Sequence, residues 1–334
     1  MITKISIEEA FKLKSAVFID ARTPKEFSED HIIGAINIPL LSDEERHEIG
    51  IIYKQQSREK AIEKGMEIFP SKIPNIYNTV KDHKDKTIIV YCARGGMRSG
   101  IISSLLLSIG FKVLQLEGGY KSFRNYLLER LNNYKLKPKL FLLWGLTCSG
   151  KTQLLSKFSN SLDLEGLAQH RGSLYGAIGL KPNSQKKFEN LLLQRLDELN
   201  ENKFIFVEGE SRKIGDVQIP SFFWKAMMKG TNILVKKDLD LRAKLAVDEY
   251  FTTKESFMEI KKVTDKLWKV IGKNKKQEVL DLLGKKKHLE AVKILLEYYY
   301  DPLYSHTLKN IKFTFEINNN DTEKAVEVLR NKIL

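Results

Sequence analysis

Along this chain, short apolar runs alternate with longer stretches whose apolar residues recur every three or four positions. Val17-Phe18-Ile19 ends at Asp20, Thr87-Ile88-Ile89-Val90-Tyr91 ends at Cys92, and Val113-Leu114-Gln115-Leu116 ends before Gly118-Gly119. Between the last two runs, residues 101–108 have the length and apolar face of a helix. Strand, helix and strand at this spacing predict a βαβ unit and a mostly parallel sheet. Residues 131–139 are polar and carry Asn132-Asn133 and Pro138, which marks a boundary because proline interrupts any helix crossing it. A second α/β pattern follows. Leu140-Phe141-Leu142-Leu143-Trp144 reads as a strand, then come a glycine-bearing loop and a helix from about Lys151, and further strands at Phe204-Ile205-Phe206-Val207 and Ile233-Leu234-Val235. Beyond about residue 238 the pattern is helical and rich in lysine up to Tyr300, where Pro302 is expected to stop the helix. Phe313 to Ile317 reads as a late strand and 322–333 as a last helix.

The resulting organisation is a first domain over 1–130, a linker over 131–138, a second α/β domain over 139–240, and a mostly helical region over 241–334 packed on it. A length of 334 residues suits two domains, and a hydrophobic content of 42% is ordinary for a chain with real cores. No stretch reaches the roughly 18 apolar residues that a membrane span needs, and the first residues lack the apolar run of a signal peptide. We therefore expect a cytoplasmic protein without a membrane partner, and a monomer. The formal net charge of +14 favours a polyanionic partner, although a lysine-rich composition alone gives the same excess. The two cysteines, Cys92 and Cys148, lie in no CxxC pair, which argues against a disulfide framework and a structural metal.

Cys92 stands where a strand is expected to end and a helix to begin, in Cys92-Ala93-Arg94-Gly95-Gly96-Met97-Arg98-Ser99. Amides there converge on one spot and favour a thiolate; Gly95-Gly96 lets the loop curl, and Arg94 and Arg98 add positive charge. A buried structural cysteine is the plainer reading, but it needs neither the glycine pair nor the arginines. The Cys-x5-Arg spacing from Cys92 to Arg98 leaves a phosphatase loop open beside a sulfur- or selenium-carrying one. The second loop is Gly145-Leu146-Thr147-Cys148-Ser149-Gly150-Lys151-Thr152, which fits G-x-x-x-x-G-K-[ST] between a strand and a helix. Gly145, Ser149, Gly150, Lys151 and Thr152 are the expected phosphate or diphosphate contacts, and Thr152 is a candidate ligand for Mg²⁺; no other metal site is expected. Cys148 replaces a common glycine and reads as a small residue tolerated in the loop. Glu208-Gly209-Glu210-Ser211-Arg212 follows the next strand, where α/β domains place ligands. His170, Arg171 and Ser173 offer phosphate donors from a predicted loop, the plainer alternative being a solvated loop with Ser173 as a helix N-cap. Glu210 and Arg212 equally fit a structural ion pair, and Tyr299, Tyr300 and Tyr304 fit either base stacking or core packing.

Two stretches, Phe18-Ile19-Asp20-Ala21-Arg22-Thr23-Pro24-Lys25-Glu26-Phe27 and His31-Ile32-Ile33-Gly34-Ala35-Ile36-Asn37-Ile38-Pro39, together with Gly118-Gly119-Tyr120, resemble the signatures of rhodanese domains. Asp30 and Ile33 depart from the usual Gly and Pro. That resemblance implies a thiol carrying a chalcogen rather than a phosphatase, with Asp20 and Arg22 as scaffold. The whole chain resembles the bacterial tRNA 2-selenouridine synthase family, through Pro39-Leu40-Leu41-Ser42-Asp43-Glu44-Glu45-Arg46, the stretch from Leu164 to Ser173, Glu208-Gly209-Glu210-Ser211-Arg212-Lys213-Ile214-Gly215, and Tyr299-Tyr300-Asp301-Pro302-Leu303-Tyr304. The lysine-rich region 254–295 matches least. The implied fold is α/β, an N-terminal rhodanese-like parallel-sheet domain followed by a P-loop α/β domain with a helical C-terminal part. The implied activity converts the 2-thiouridine at the wobble position of the tRNAs for Lys, Glu and Gln to 2-selenouridine. Geranyl diphosphate first S-geranylates the base, and selenium from selenophosphate then replaces the geranylthio group. Cys92 is the implied selenium carrier, with no tightly bound cofactor. A rhodanese-type sulfurtransferase with a regulatory nucleotide-binding domain is the alternative.

Overall fold

Each short apolar run becomes a strand in the computed structural model, which describes residues 2–333. The chain divides into two compact units, residues 1–133 and 134–334. In the first, β1 (Lys4–Ile5), β2 (Ala16–Asp20), β3 (Ile36–Asn37), β4 (Thr87–Tyr91) and β5 (Lys112–Leu116) form one sheet in the order β1-β5-β4-β2-β3. Every pairing in it is parallel. β4 lies in the middle and its residues from Ile88 to Tyr91 are fully buried, as strands covered on both faces must be. The helix Met97–Ser108 returns the chain from β4 to β5 and buries Ile102 and Leu106 on the sheet. Between β3 and β4 the chain builds helices Asp43–Gln55, Arg58–Ile68 and Ile73–Val80, for which the sequence reading named no elements. Their start is nonetheless written locally: Ser42 and Glu45 form a reciprocal capping box.

The second unit is built on another wholly parallel sheet, in the order β12-β11-β6-β8-β7, with β6 (Lys139–Trp144), β7 (Ser161–Leu162), β8 (Phe204–Glu208), β11 (Thr231–Lys236) and β12 (Phe315–Asn318). A small antiparallel hairpin, β9 (Lys213–Ile214) with β10 (Val217–Gln218), follows β8. The helices between Leu239 and Lys309 have a core of their own, including Ala243, Ile260, Leu283 and Leu295. They do not end the unit. After them β12 pairs with β11, and the Thr322–Ile333 helix packs Val326 and Leu329 against Leu143, Phe206 and Val235. The helical region is therefore an excursion from the sheet, and the last residues rejoin the layer that carries the P-loop.

Pro302 does not stop the helix. The His288–Leu295 helix runs into a π-helical turn, Leu296–Tyr300, and on into Asp301–Lys309. The wider turn moves the Asp301 amide onto the Leu296 carbonyl, and Pro302 then sits in the first turn of the next segment, where a missing N–H is harmless.

Candidate active sites

In the first unit, Cys92 follows β4 directly and is 4% exposed. Burial opposes its ionisation, but hydrogen bonds from Ser99 and from the Arg94 and Gly96 amides outweigh it and hold the thiol below its ordinary pKa. The Gly96 amide and the Ser99 hydroxyl both donate to Sγ at 3.3 Å. Gln115, a buried polar residue on β5, donates from its amide nitrogen to the Gly95 and Gly96 carbonyls at 3.2 Å and to Ser99 Oγ at 2.8 Å. Ser99 and Gln115 had no role in the sequence reading; the signal was a lone amide inside the apolar run Val113-Leu114-Gln115-Leu116.

The arginines behave differently from expectation. Arg98 is held by Glu26 at 2.6 Å, so its charge is matched within the fold, and Arg94 is exposed. The thiolate here is favoured by short-range donors rather than by either guanidinium. The loop's shape depends on Gly119, at φ +60°: a Cβ there would lie 2.2 Å from the Cys92 carbonyl oxygen. The next amide, Tyr120 N–H, donates to that same carbonyl at 2.8 Å. Arg22 and Asp20 form the buried scaffold pair, at 2.7 Å, and the Arg22 guanidinium lies over the Tyr120 ring.

In the second unit, residues 147–152 curl around a concave pocket whose far wall includes Glu165, Arg171, Glu210, Glu249 and Tyr304. Lys151 Nζ donates to the Gly145 carbonyl at 3.3 Å, across the loop, and Thr152 Oγ1 donates to Glu208 at 3.0 Å. Gly150, at φ +80°, makes the final turn into the helix, and Asn319 from the end of β12 donates to the Ser149 carbonyl at 2.8 Å. The Ser149 side chain is buried in the loop itself. From the helical excursion, Arg242 donates to the Thr147 carbonyl at 2.9 Å and forms a bidentate pair with Asp301. Sequence reasoning missed Arg242, although Asp301 lay within a matched segment.

Glu208 ends β8 wholly buried. Burial, with Asp163 and Glu210 close by, pushes its carboxyl up to about 8. Glu165, half-buried and facing Glu208 and Glu210, is raised well above the carboxylate range by desolvation and by those two carboxylates. Among the described residues no three His, Cys, Asp or Glu form a metal-ligand set. Cys148, held at φ +59°, is pushed up to about 12 by burial and the nearby Glu249, so its thiol stays protonated and serves as wall.

The loop after the Leu164–Ala168 helix separates its residues by task. Arg171 lines the P-loop pocket, donates to the Ile178 carbonyl at 3.0 Å and lies over the Tyr250 ring. Ser173 caps no helix; its hydroxyl is 3.1 Å from Tyr300 OH. His170 accepts from the Gly172 amide at 3.1 Å and packs against Gly176 and Gly215, which makes it a strut of the loop. Arg212 is exposed and donates to Ser221, not to Glu210. Tyr299 and Tyr300 are both core and lining: they pack with Tyr175, and with Tyr304 they wall a cavity beside the loop.

A reactive-cysteine loop on one parallel sheet and a P-loop on another define a two-unit α/β protein with one thiol site and one phosphate-binding site. Comparison gives the same two units: residues 6–126 match the rhodanese-like domain, and residues 138–278 match the tRNA 2-selenouridine synthase AAA domain. Relatives described as tRNA 2-selenouridine synthase include proteins of Hydrogenovibrio crunogenus (31% identical, covering 93% of this chain and 94% of that one), Nitrosomonas europaea (32%, 87% and 89%) and Shewanella woodyi (32%, 92% and 92%). The chain belongs to the tRNA 2-selenouridine synthase family.

Proposed function

We propose that this protein converts 2-thiouridine at the tRNA wobble position to 2-selenouridine in two steps, each served by one of the two loops. The P-loop unit transfers a geranyl group from geranyl diphosphate to the base sulfur, releasing diphosphate and a proton. Selenophosphate and water then replace geranylthiol with selenium and leave phosphate; the selenium stays at the selenide level, carried at the Cys92 loop between donor and base, so the exchange needs no oxidant. Alkylation makes chemical sense as the first step, because an alkylthio group leaves C2 far more readily than a thiocarbonyl sulfur.

The observation that carries this reading is an apolar lining beside the P-loop, around a narrow cavity of about 30 Å³ that has to widen to admit a ten-carbon chain. Tyr175, Phe251, Ile260 and Leu295 contribute to its wall, and it shares Thr147, Cys148 and Tyr250 with the phosphate-sized pocket. A cationic, amide-lined cradle joined to an apolar one suits an anionic headgroup with a hydrocarbon tail better than a nucleotide. Where Mg²⁺ accompanies the diphosphate, Thr152 is the hydroxyl positioned to hold it, and the ion would neutralise the leaving group's charge. The depressed pKa of Cys92 supports the carrier role, since nucleophilic cysteines work as thiolates.

The test uses full-length variants and thiolated tRNA. Cys92→Ala should form the S-geranylated nucleoside and stop there. Lys151→Ala should lose geranylation yet selenate an RNA supplied already geranylated. Selenation by Cys92→Ala would remove the carrier role. Persulfide formed on Cys92 from thiosulfate, with no RNA requirement and no geranyl product, would favour the sulfurtransferase alternative.

A further inference from the structure

The cavity walled by Trp144, Tyr299, Tyr300 and Tyr304 measures about 300 Å³ and is distinct from the pockets assigned above to the diphosphate and the hydrocarbon. Its aromatic wall is fixed in place. Trp144 Nε1 donates to Asn232 at 2.8 Å, and the indole lies on the Gly209 backbone so closely that a Cβ there would approach it to 2.2 Å. Polar groups sit at the rim, including Ser173, Ser211 and Thr307. Flat aromatic faces with hydrogen-bonding edges suit a single heterocyclic base turned out of its strand. The cavity meets the P-loop pocket along Glu210 and Tyr304, which line both. A base held here would lie beside the pocket assigned above to the diphosphate.

Resting on the geranyl-transfer reading above, we propose that this cavity receives the thiouracil and that Glu210 is the base that takes its N3 proton as the sulfur is alkylated. The chemistry requires such a base. Alkylating the C2 sulfur while N3 keeps its hydrogen leaves a cationic ring, whereas losing that proton leaves a neutral 2-alkylthio ring. The sulfur–carbon bond forms, the carbon–oxygen bond to diphosphate breaks, and the N3 proton passes to the Glu210 carboxylate.

Glu210 is the carboxylate placed for this. Of Glu165, Glu210 and Glu249 on the P-loop pocket, Glu210 alone also lines the aromatic cavity, and it is 6% exposed. Burial raises its pKa, making it a stronger base than a surface carboxylate, while Lys151 and a hydrogen bond with Glu165 keep the ionised form accessible. The other titratable groups around it are Glu208 on β8, Arg171 and Glu249 across the pocket, and the Tyr304 hydroxyl on the Asp301–Lys309 helix. Glu208 cannot substitute, because its oxygens are engaged by Thr152 and by the Glu165 amide.

The test is the pH profile of geranylation for wild type and Glu210→Gln, using a synthetic anticodon stem-loop with one 2-thiouridine and geranyl diphosphate. The variant should lose about 10²-fold or more in kcat/KM near neutral pH. The deficit should shrink as alkali ionises N3 unaided, with the KM for geranyl diphosphate little changed. An undiminished rate near neutral pH, or a loss constant across pH, overturns the proposal. Should Glu210→Gln also fail to selenate a pre-geranylated RNA, Glu210→Asp carries the test. It should be slower than wild type with the wild-type pH dependence, and a rate climbing steadily into alkali, as expected without a base, overturns the role. Absence of any geranylated product from the wild type overturns the geranyl-transfer reading and this one together. Wild-type product with an indifferent Glu210→Gln overturns this one alone.

Discussion

Two residues in this chain show how neighbours rather than identity decide chemistry. Cys92 and Cys148 are both largely buried, yet Cys92 is shifted toward the thiolate by donated hydrogen bonds and Cys148 toward the thiol by burial and Glu249. Removing the Ser99 hydroxyl should raise the Cys92 pKa, so the pH at which iodoacetamide reaches half its maximal rate with Cys92 should move upward in Ser99→Ala. An unchanged midpoint would mean the loop amides suffice. The carboxylates beside the P-loop give a second prediction. Glu208 holds its proton up to about pH 8 in the fold but only to about 4.5 as an ordinary side chain, so the folded state binds more protons between these values. Stability against urea should therefore fall as pH rises through that window. Glu208→Gln should flatten the slope, as read from unfolding midpoints at both ends of the range. The position of Cys92 was legible in the sequence because its loop is contiguous. The Ser99–Gln115 support was not, because those residues meet only once β5 lies beside β4.

At the level of elements, the parallel strands were readable wherever an apolar run stood between turn residues, and both loops were readable because strand-to-helix junctions put amides at one place. What escaped was of two kinds. The helices between β3 and β4 have charged, weakly patterned sequences whose helicity shows mainly in their caps. The continuation past Pro302 depends on a π turn, which a rule that proline ends helices does not foresee. The contact that ties the helical excursion to the P-loop was equally invisible, since Arg242 and Asp301 are distant in sequence. Arg242 is 3% exposed and its guanidinium is satisfied by Asp301 and the Thr147 carbonyl. Asp301→Asn leaves a buried cation short of its counter-charge, and should cost about 3 kcal/mol of stability. Chemical denaturation measures it; a loss below about 0.5 kcal/mol, the usual size of a surface change, would contradict the clamp.

For the whole molecule, the sequence showed two α/β units and the order in which they occur. It did not show that the last strand and helix return to the P-loop sheet, because a parallel pairing of β12 with β11 spans the entire helical excursion. The formal charge of +14 belongs to this scale too. If RNA is the partner, phosphate contacts should make binding fall steeply and linearly on a log–log plot against salt, with a slope near −0.7 to −0.9 per contact. Filter binding of thiolated tRNA across a salt series tests this, and salt-independent binding would contradict it. Among the described residues no helix is long and apolar enough to cross a membrane.

On the function proposed above, one chain performs an alkylation followed by an exchange. The most direct measurement is mass spectrometry of the wobble nucleoside when wild-type protein and thiolated tRNA receive geranyl diphosphate first and selenophosphate second. Complete conversion to the S-geranylated nucleoside is expected after the first addition, and to 2-selenouridine after the second. Formation of 2-selenouridine from selenophosphate alone, with no geranyl diphosphate present, would contradict it.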